Sequence, residues 1–517
     1  MNPDKLIKFS IPFFAFAIVT RAIVEISFIY YLVPVMCLLF IVLLFISSKF
    51  NGAKNLEADP STQFTLSSGE GLRKTNPKAD TIRHSVSSIQ YPESSDKHAS
   101  SPLEADFASL NIFSAKGGFR FAQHHPLTIL LLPGLWFLLT ALWSAYPEIS
   151  AYRALYFILI SAGCISAGIL WMRYNGKGVF DFLLPANIFI VLLSLFSILT
   201  NIPADSWTGG HGKGFMGFFG HQNLLASVIL FTLPGVIFKL RNEDRVNGNQ
   251  LLVNRNHTSN TNYFLLTTRY LLLIANLLVL ALTYSRASIL SLVFGAIVFL
   301  ILNKNWNVIS YSFGILILFF LIVYLTPSFN QFADKIIKKD FPEIYSSRIW
   351  MWEPSYRAAI EGGLTGLGYG MSEPHIKPGS AGDHYEGERF IREKGNSVLA
   401  LIEETGVIGF VLFSLPILYL LFNIRFTMSG VNKFNVQGLS IKEKNLELRT
   451  LNPEQKYIKY HKQKTYLLTS TILALIIHAQ FEAWWVGVGS VQLPLFFVYL
   501  GLIVQGLKFS SSRFEVK

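Results

Sequence analysis

The chain has 517 residues, 51% apolar and only 15% charged, where a soluble domain runs nearer a quarter charged. That balance excludes a soluble enzyme, because the apolar residues fall in blocks of roughly 18 to 22, enough to cross about 30 Å of hydrocarbon at about 1.5 Å per residue. The net charge of +12 reflects a bias toward one membrane side rather than a nucleic-acid surface.

Apolar segments are read at 9–27, 29–48, 126–143, 151–172, 181–200, 223–240, 264–283, 286–303, 309–326, 397–423, 466–484 and 487–507. They predict an all-α, polytopic helical membrane protein with about 12 transmembrane helices. With the N-terminus, Lys5 and Lys8 inside, the segments 1–8, 49–125, 173–180, 239–269, 304–308, 425–465 and 508–517 hold 31 of the 44 Lys and Arg residues. Both termini are then cytoplasmic.

Residues 1–48 read as a transmembrane hairpin with Arg21 and Glu25 at its outer turn. No small-residue cleavage site follows, so it is expected to stay as an anchor. Residues 49–125, rich in Ser, Asn, Lys and Glu, are expected to form a disordered cytoplasmic linker, since they hold too little apolar surface to offset ordering entropy. The main membrane domain spans 126–507, and 508–517 form a cytoplasmic tail. Cys37 and Cys164 both lie in apolar blocks, so neither a disulfide framework nor a CxxC metal site is expected, and no metal or cofactor is inferred.

The large outer loop, 327–395, carries nine Lys/Arg and ten Asp/Glu among its aromatic residues. Helical patterning at 343–361 puts Ile349, Trp352, Tyr356 and Ile360 on one face. An ordered, partly helical cap over the outer membrane face is expected.

Ions inside a bilayer cost at least about 2.5 kcal/mol each, so each intramembrane charge is a functional candidate. Arg286 opens the eighth span and Arg153 the fourth, while Arg348, Arg392 and Lys394 come from the large loop. An interfacial arginine also snorkels, and a loop cation is also simply solvated. Their convergence on one side argues for more, because guanidinium forks bind phosphate oxygens in pairs. A lipid pyrophosphate suits cations at that depth, and the arginines neutralise it without a metal.

Asn396, Ala400, Glu403 and Glu404 share one helical face at the outer start of the tenth span, and their carboxylates serve either an ion pair or proton transfer. His478, Gln480 and Glu482 end the eleventh span just before Trp484 and Trp485. His221 follows a Gly-rich turn, Phe215 to Asn223, that brings it toward the same cavity. Trp350, Trp352 and Tyr385 are suited to stacking on sugar rings, with packing or interfacial anchoring as the competing role.

Taken in order, Gly217-Phe218-Phe219-Gly220-His221-Gln222-Asn223-Leu224-Leu225-Ala226, Ser285-Arg286-Ala287, Ser347-Arg348-Ile349-Trp350 with Gly366-Leu367-Gly368-Tyr369-Gly370, and Asn396-Ser397 through Glu404-Thr405-Gly406-Val407-Ile408-Gly409 resemble the O-antigen ligase and O-antigen polymerase superfamily of bacterial envelope glycosyltransferases. The resemblance covers about 126–505. It implies a glycosyltransferase that moves a glycan from undecaprenyl pyrophosphate to an acceptor hydroxyl on the periplasmic face, for surface or exopolysaccharide assembly. Arg286 and Arg348 would grip the pyrophosphate, and His221, Trp350, Trp352, Tyr385 and Asn396 would contact glycan.

Ligases of this family carry a histidine just before the asparagine that is Asn396 here, and this chain has Gly395. The base then passes to Glu403, Glu404 or Glu482, or to His384 or His478, unless arginine electrostatics suffice. The departure shifts the balance from ligase toward polymerase. A transporter or flippase of lipid-linked glycans is the competing class, but such proteins commonly show internal repeats and midplane binding groups, and neither is evident.

Overall fold

A computed structural model describes residues 3–21, 32–44, 126–175, 178–203, 214–219, 221–250, 259–308, 310–311, 346–371, 395–436, 453–487 and 490–514. They belong to one compact unit, Met1–Leu44 with Pro126–Lys517. The expected linker 49–125 and most of the expected span 309–326 lie outside the described residues.

The regular elements described are helical, as the apolar runs predict. In chain order they are α1 (Pro3–Arg21), α2 (Leu32–Leu44), α3 (Pro126–Leu139), α4 (Pro147–Tyr174), α5 (Leu184–Thr200), α6 (Gln222–Gln250), α7 (Ser259–Leu282) and α8 (Arg286–Leu302). Then come α9 (Ser346–Gly362), α10 (Ser397–Val436), α11 (Pro453–Ala479) and α12 (Gln492–Phe514). Pro147 starts α4 at the first helical position, where its missing N–H costs nothing.

Among the described residues, four segments are long and apolar enough to cross a membrane: Pro147–Tyr174, Asp181–Thr200, Gln222–Leu240 and Ser397–Ile424. Shorter apolar helices cover Leu6–Ile18, Leu32–Leu44, Leu132–Trp143, Thr267–Leu282, Arg286–Leu302 and Gln492–Gly506. The architecture is that of a helical membrane protein. One expected boundary is corrected: the segment read as 466–484 belongs to a helix that begins at Pro453 and ends at Ala479, after which the chain turns through Gln480 and Phe481.

α4 and α12 cross at the centre with their backbones touching. A Cβ on Gly168 would strike the Val498 carbonyl, and one on Gly501 would strike the Ile165 carbonyl. Between apolar helices in lipid such close approach replaces the hydrophobic drive available in water. Buried amides add a second fastening, in which Asn187 Nδ2 donates to Thr232 Oγ1 (2.9 Å) and Asn276 Oδ1 (2.8 Å), and Asn276 Nδ2 returns a bond to Asn187 Oδ1 (2.9 Å). That network ties α5, α6 and α7. On α10, exposed Val407, Val411, Leu415, Leu418 and Phe422 recur at three- and four-residue spacing as an outward apolar stripe.

The helix expected at 343–361 is α9. Ile349, Tyr356 and Ile360 are exposed, whereas Ser355, Ala358 and Ala359 are buried. The reason is spacing: a Cβ at Gly362 would come within 2.6 Å of the Glu403 carbonyl, so only a small-residue face fits against α10.

Candidate functional site

Several loop–helix junctions meet at one end of the bundle, and hydrogen bonds join them. The most extensive joint forms where α10 breaks. Gly406 sits at φ +71°, ψ 178°, a conformation strained for a side-chain-bearing residue. In an unbroken helix the Val407 and Ile408 N–H groups would pair with the Glu403 and Glu404 carbonyls. Here they donate to the Gly363 (3.1 Å) and Leu364 (3.2 Å) carbonyls, while Leu367 and Gly368 N–H groups take the two glutamate carbonyls (3.0 Å each). The break therefore leaves these four backbone groups paired.

Side chains close the same joint. Trp136 Nε1 donates to the Thr405 carbonyl (2.8 Å), and Trp143 Nε1 to the Gly366 carbonyl (3.0 Å). Gly370 N–H donates to Glu404 Oε2 (2.7 Å), and Arg153 Nη1 donates to the Gly370 carbonyl (2.6 Å). One glycine, through its N–H and its carbonyl, thus links the carboxylate of α10 to the arginine of α4. Glu403 and Glu404 are both buried, and Tyr369 beside them is fully enclosed. Burial, and secondarily the Glu404 carboxylate, push the Tyr369 phenol well above its ordinary pKa.

The start of α10 is a second joint. Asn396 Oδ1 caps the helix by accepting from Val398 (2.8 Å) and Leu399 (3.0 Å) N–H, and its Nδ2 donates to the Gln480 carbonyl (2.9 Å). Ser397 Oγ donates to the Glu482 carbonyl (2.6 Å). Trp352 Nε1 donates to the carbonyl of Gly395 (2.9 Å), the residue standing where the resemblance calls for histidine. Asn396 and Trp352, expected to touch glycan, are thus engaged within the protein, because the helix start leaves backbone donors that need acceptors.

A third joint fixes the first turn of α8. Trp484 Nε1 donates to His478 Nδ1 (3.1 Å), and Ser288 Oγ lies 3.1 Å from His478 Nε2. Indole N–H is donor-only, so Nδ1 is bare, and the neutral ring carries its proton on Nε2 and gives it to Ser288. Both nitrogens of this fully buried ring are thus committed, which sets His478 apart from a proton acceptor for substrate. Ser285 Oγ lies 3.3 Å from Ser288 Oγ, next to half-buried Arg286.

The fourth joint links the Gly-rich turn to α11's exit. Phe215 N–H donates to the Leu282 carbonyl (2.8 Å), docking the turn on the end of α7. Asn223 Nδ2 donates to Glu482 Oε1 (2.8 Å), and Asn223 N–H donates to His221 Nδ1 (3.1 Å). His221 is exposed and Glu482 half-buried, unlike the two enclosed glutamates of α10.

The sequence-predicted residues thus separate. Arg153, Glu404, Asn396, Glu482 and His221 belong to connected joints, and Arg286 begins the helix that the third joint holds. Arg392, Lys394, Tyr385 and His384 lie outside the described residues, as do the side chains of Arg348 and Trp350 on α9. Asn223 went without a role in the sequence reading, and its signal was modest: an amide in the first turn of a span, two residues after His221. Among the described residues, no three His, Cys, Asp or Glu side chains come together as a metal site. No curated protein matches the chain. Residues 271–414, from within α7 through the break in α10, match the family model described as O-antigen ligase, which supports a membrane glycosyl-transfer role in polysaccharide assembly.

Proposed function

We propose that this protein transfers a glycan from an undecaprenyl-pyrophosphate-linked oligosaccharide to an acceptor hydroxyl on the periplasmic side of the bacterial inner membrane, acting as a polysaccharide polymerase or an O-antigen-ligase-type enzyme. The observation that carries the reading is the clustering of joined loop–helix junctions, with Glu482 half-buried and held by Asn223 at 2.8 Å while Glu403 and Glu404 are enclosed. A base must reach the acceptor hydroxyl directly or through one water, which favours Glu482 over the enclosed pair.

The acceptor oxygen attacks the anomeric carbon, the bond from that carbon to the pyrophosphate oxygen breaks, and undecaprenyl pyrophosphate leaves with the electron pair. Glu482 takes the hydroxyl proton. Arg286, with Arg348, Arg392 and Lys394 from the large loop, offsets charge growing on the pyrophosphate. Arg153, tied to Gly370, supports this end of the bundle. His221, whose Nδ1 accepts a backbone N–H, presents Nε2–H as a donor toward the glycan.

The test is reconstitution of purified protein with the lipid-linked oligosaccharide, resolving products by length with and without added acceptor. A ladder from donor alone identifies a polymerase, and one transfer that requires a distinct acceptor identifies a ligase. Arg286→Ala and Arg348→Ala should each abolish product at normal membrane abundance. An untouched donor, or full activity in both variants, sinks the proposal and favours lipid-glycan transport.

A further inference from the structure

We infer that Asn223 is a positioning residue that sets the orientation of the Glu482 carboxylate for proton transfer; the inference rests on the reading of Glu482 as the base. Glu482 lies in the turn after α11, where its backbone follows no helix. Two other elements hold it instead. Ser397 Oγ at the start of α10 grips its main-chain carbonyl at 2.6 Å, and Asn223 Nδ2 from the first turn of α6 grips Oε1 at 2.8 Å.

The direction of the second bond follows from charge. A carboxylate only accepts, so the amide nitrogen, not the amide oxygen, must face it. An N–H donated to one oxygen holds the carboxylate's rotation, which a base aimed at a substrate hydroxyl needs. The same residue's backbone N–H meets His221 Nδ1 at 3.1 Å. Asn223 therefore fixes the presentation of two polar side chains at once, one through its side chain and one through its main chain. Substituting its side chain disturbs only the Glu482 contact, because any residue but proline keeps the backbone N–H.

The experiment uses full-length protein in vesicles with an undecaprenyl-pyrophosphate-linked oligosaccharide, reading kcat, donor KM and membrane abundance. Asn223→Ser should lower kcat by roughly tenfold to a hundredfold with donor KM unchanged. Asn223→Asp, matched in shape but with no N–H to give, should also lower kcat, and it replaces the serine variant if that protein fails to accumulate. Glu482→Gln should be inactive. Asn223→Asp with Glu482→Gln restores the bond with its polarity reversed, and this double variant should accumulate normally yet stay inactive.

The two ways of failing are separable. Wild-type kcat in Asn223→Ser or Asn223→Asp, beside an inactive Glu482→Gln, overturns the positioning role and leaves the base standing. Activity regained in the double variant overturns the base itself, since a glutamine amide takes no proton at neutral pH.

Discussion

Two acidic neighbourhoods at the same end of the bundle differ in how much backbone surrounds them. Around Glu403 and Glu404 the broken helix α10 and the segment after α9 exchange four backbone hydrogen bonds, and Gly370 N–H closes on the Glu404 carboxylate. Around Glu482 two side-chain bonds reach in from other helices, and the residue keeps partial exposure. A carboxylate enclosed by structure stabilises a bend in the chain. One held at its edges keeps access to a substrate proton. Sequence alone gives both the same description, an acid near the membrane surface.

The comparison predicts its largest effect on activity. Glu482→Gln should reduce turnover by about ten-thousandfold, the upper end of what a general base contributes, and so leave no detectable product. Glu404→Gln should remain within about tenfold of wild type, because its amide oxygen still accepts the Gly370 N–H and only charge is lost. Single-turnover transfer rates on both variants, at matched abundance, decide the matter. The reverse ranking would move the chemistry to α10 and make Glu482 the structural partner.

The next effect falls on assembly rather than turnover. Gly406→Val places a β-branched side chain at φ +71° and drives its Cβ into the Leu364 carbonyl. The backbone conformation, in a region essentially confined to glycine, alone costs about 1–3 kcal/mol, and the clash adds to it. The variant should accumulate poorly in membranes and lose thermal stability in detergent. A fully stable Gly406→Val protein would mean that the break is pliable and that the four exchanged bonds are not what holds α9 to α10.

Trp484→Phe tests the third joint at a smaller scale. Phenylalanine retains ring packing on Phe231 and Phe496 but gives no N–H to His478 Nδ1. A buried acceptor left unpaired costs about 1–3 kcal/mol. The loss should appear in thermal denaturation, with an accompanying fall in kcat if His478 and Ser288 steady the turn that carries Arg286. Unchanged stability would show that the ring's tautomer is set by something other than the indole.

Much of the fold was legible because lipid imposes a simple code. Apolar runs of the right length marked Pro147–Tyr174, Asp181–Thr200, Gln222–Leu240 and Ser397–Ile424 within a few residues. The end of α11 was less legible, since Phe481, Ala483 and the tryptophans continue an apolar composition after helical geometry has stopped at Ala479. The outward apolar face of α9 was illegible for a related reason: hydrophobicity reports a face that avoids water, and near a membrane that face turns outward as readily as inward. In the site, charge and helix position picked out Glu404 and Glu482, but which peptide or amide each one meets depends on residues hundreds of positions away. Gly370 and Asn223 stand inside the quoted motifs but carry no charge, so neither was given a role.

The smallest predicted effect bears on Asn396, which the sequence suggested as a glycan contact. Both ends of its amide are engaged by the protein, as cap to α10 and as donor to the Gln480 carbonyl. Asn396→Ala should therefore cost about 1 kcal/mol of stability, as the loss of an N-cap does, with donor KM nearly unchanged. Asn396→Asp keeps the capping oxygen while surrendering the donated bond, so it should fall between alanine and wild type in thermal denaturation. A rise in donor KM in both variants, at unaltered stability, would instead return Asn396 to the glycan and make its capping geometry incidental.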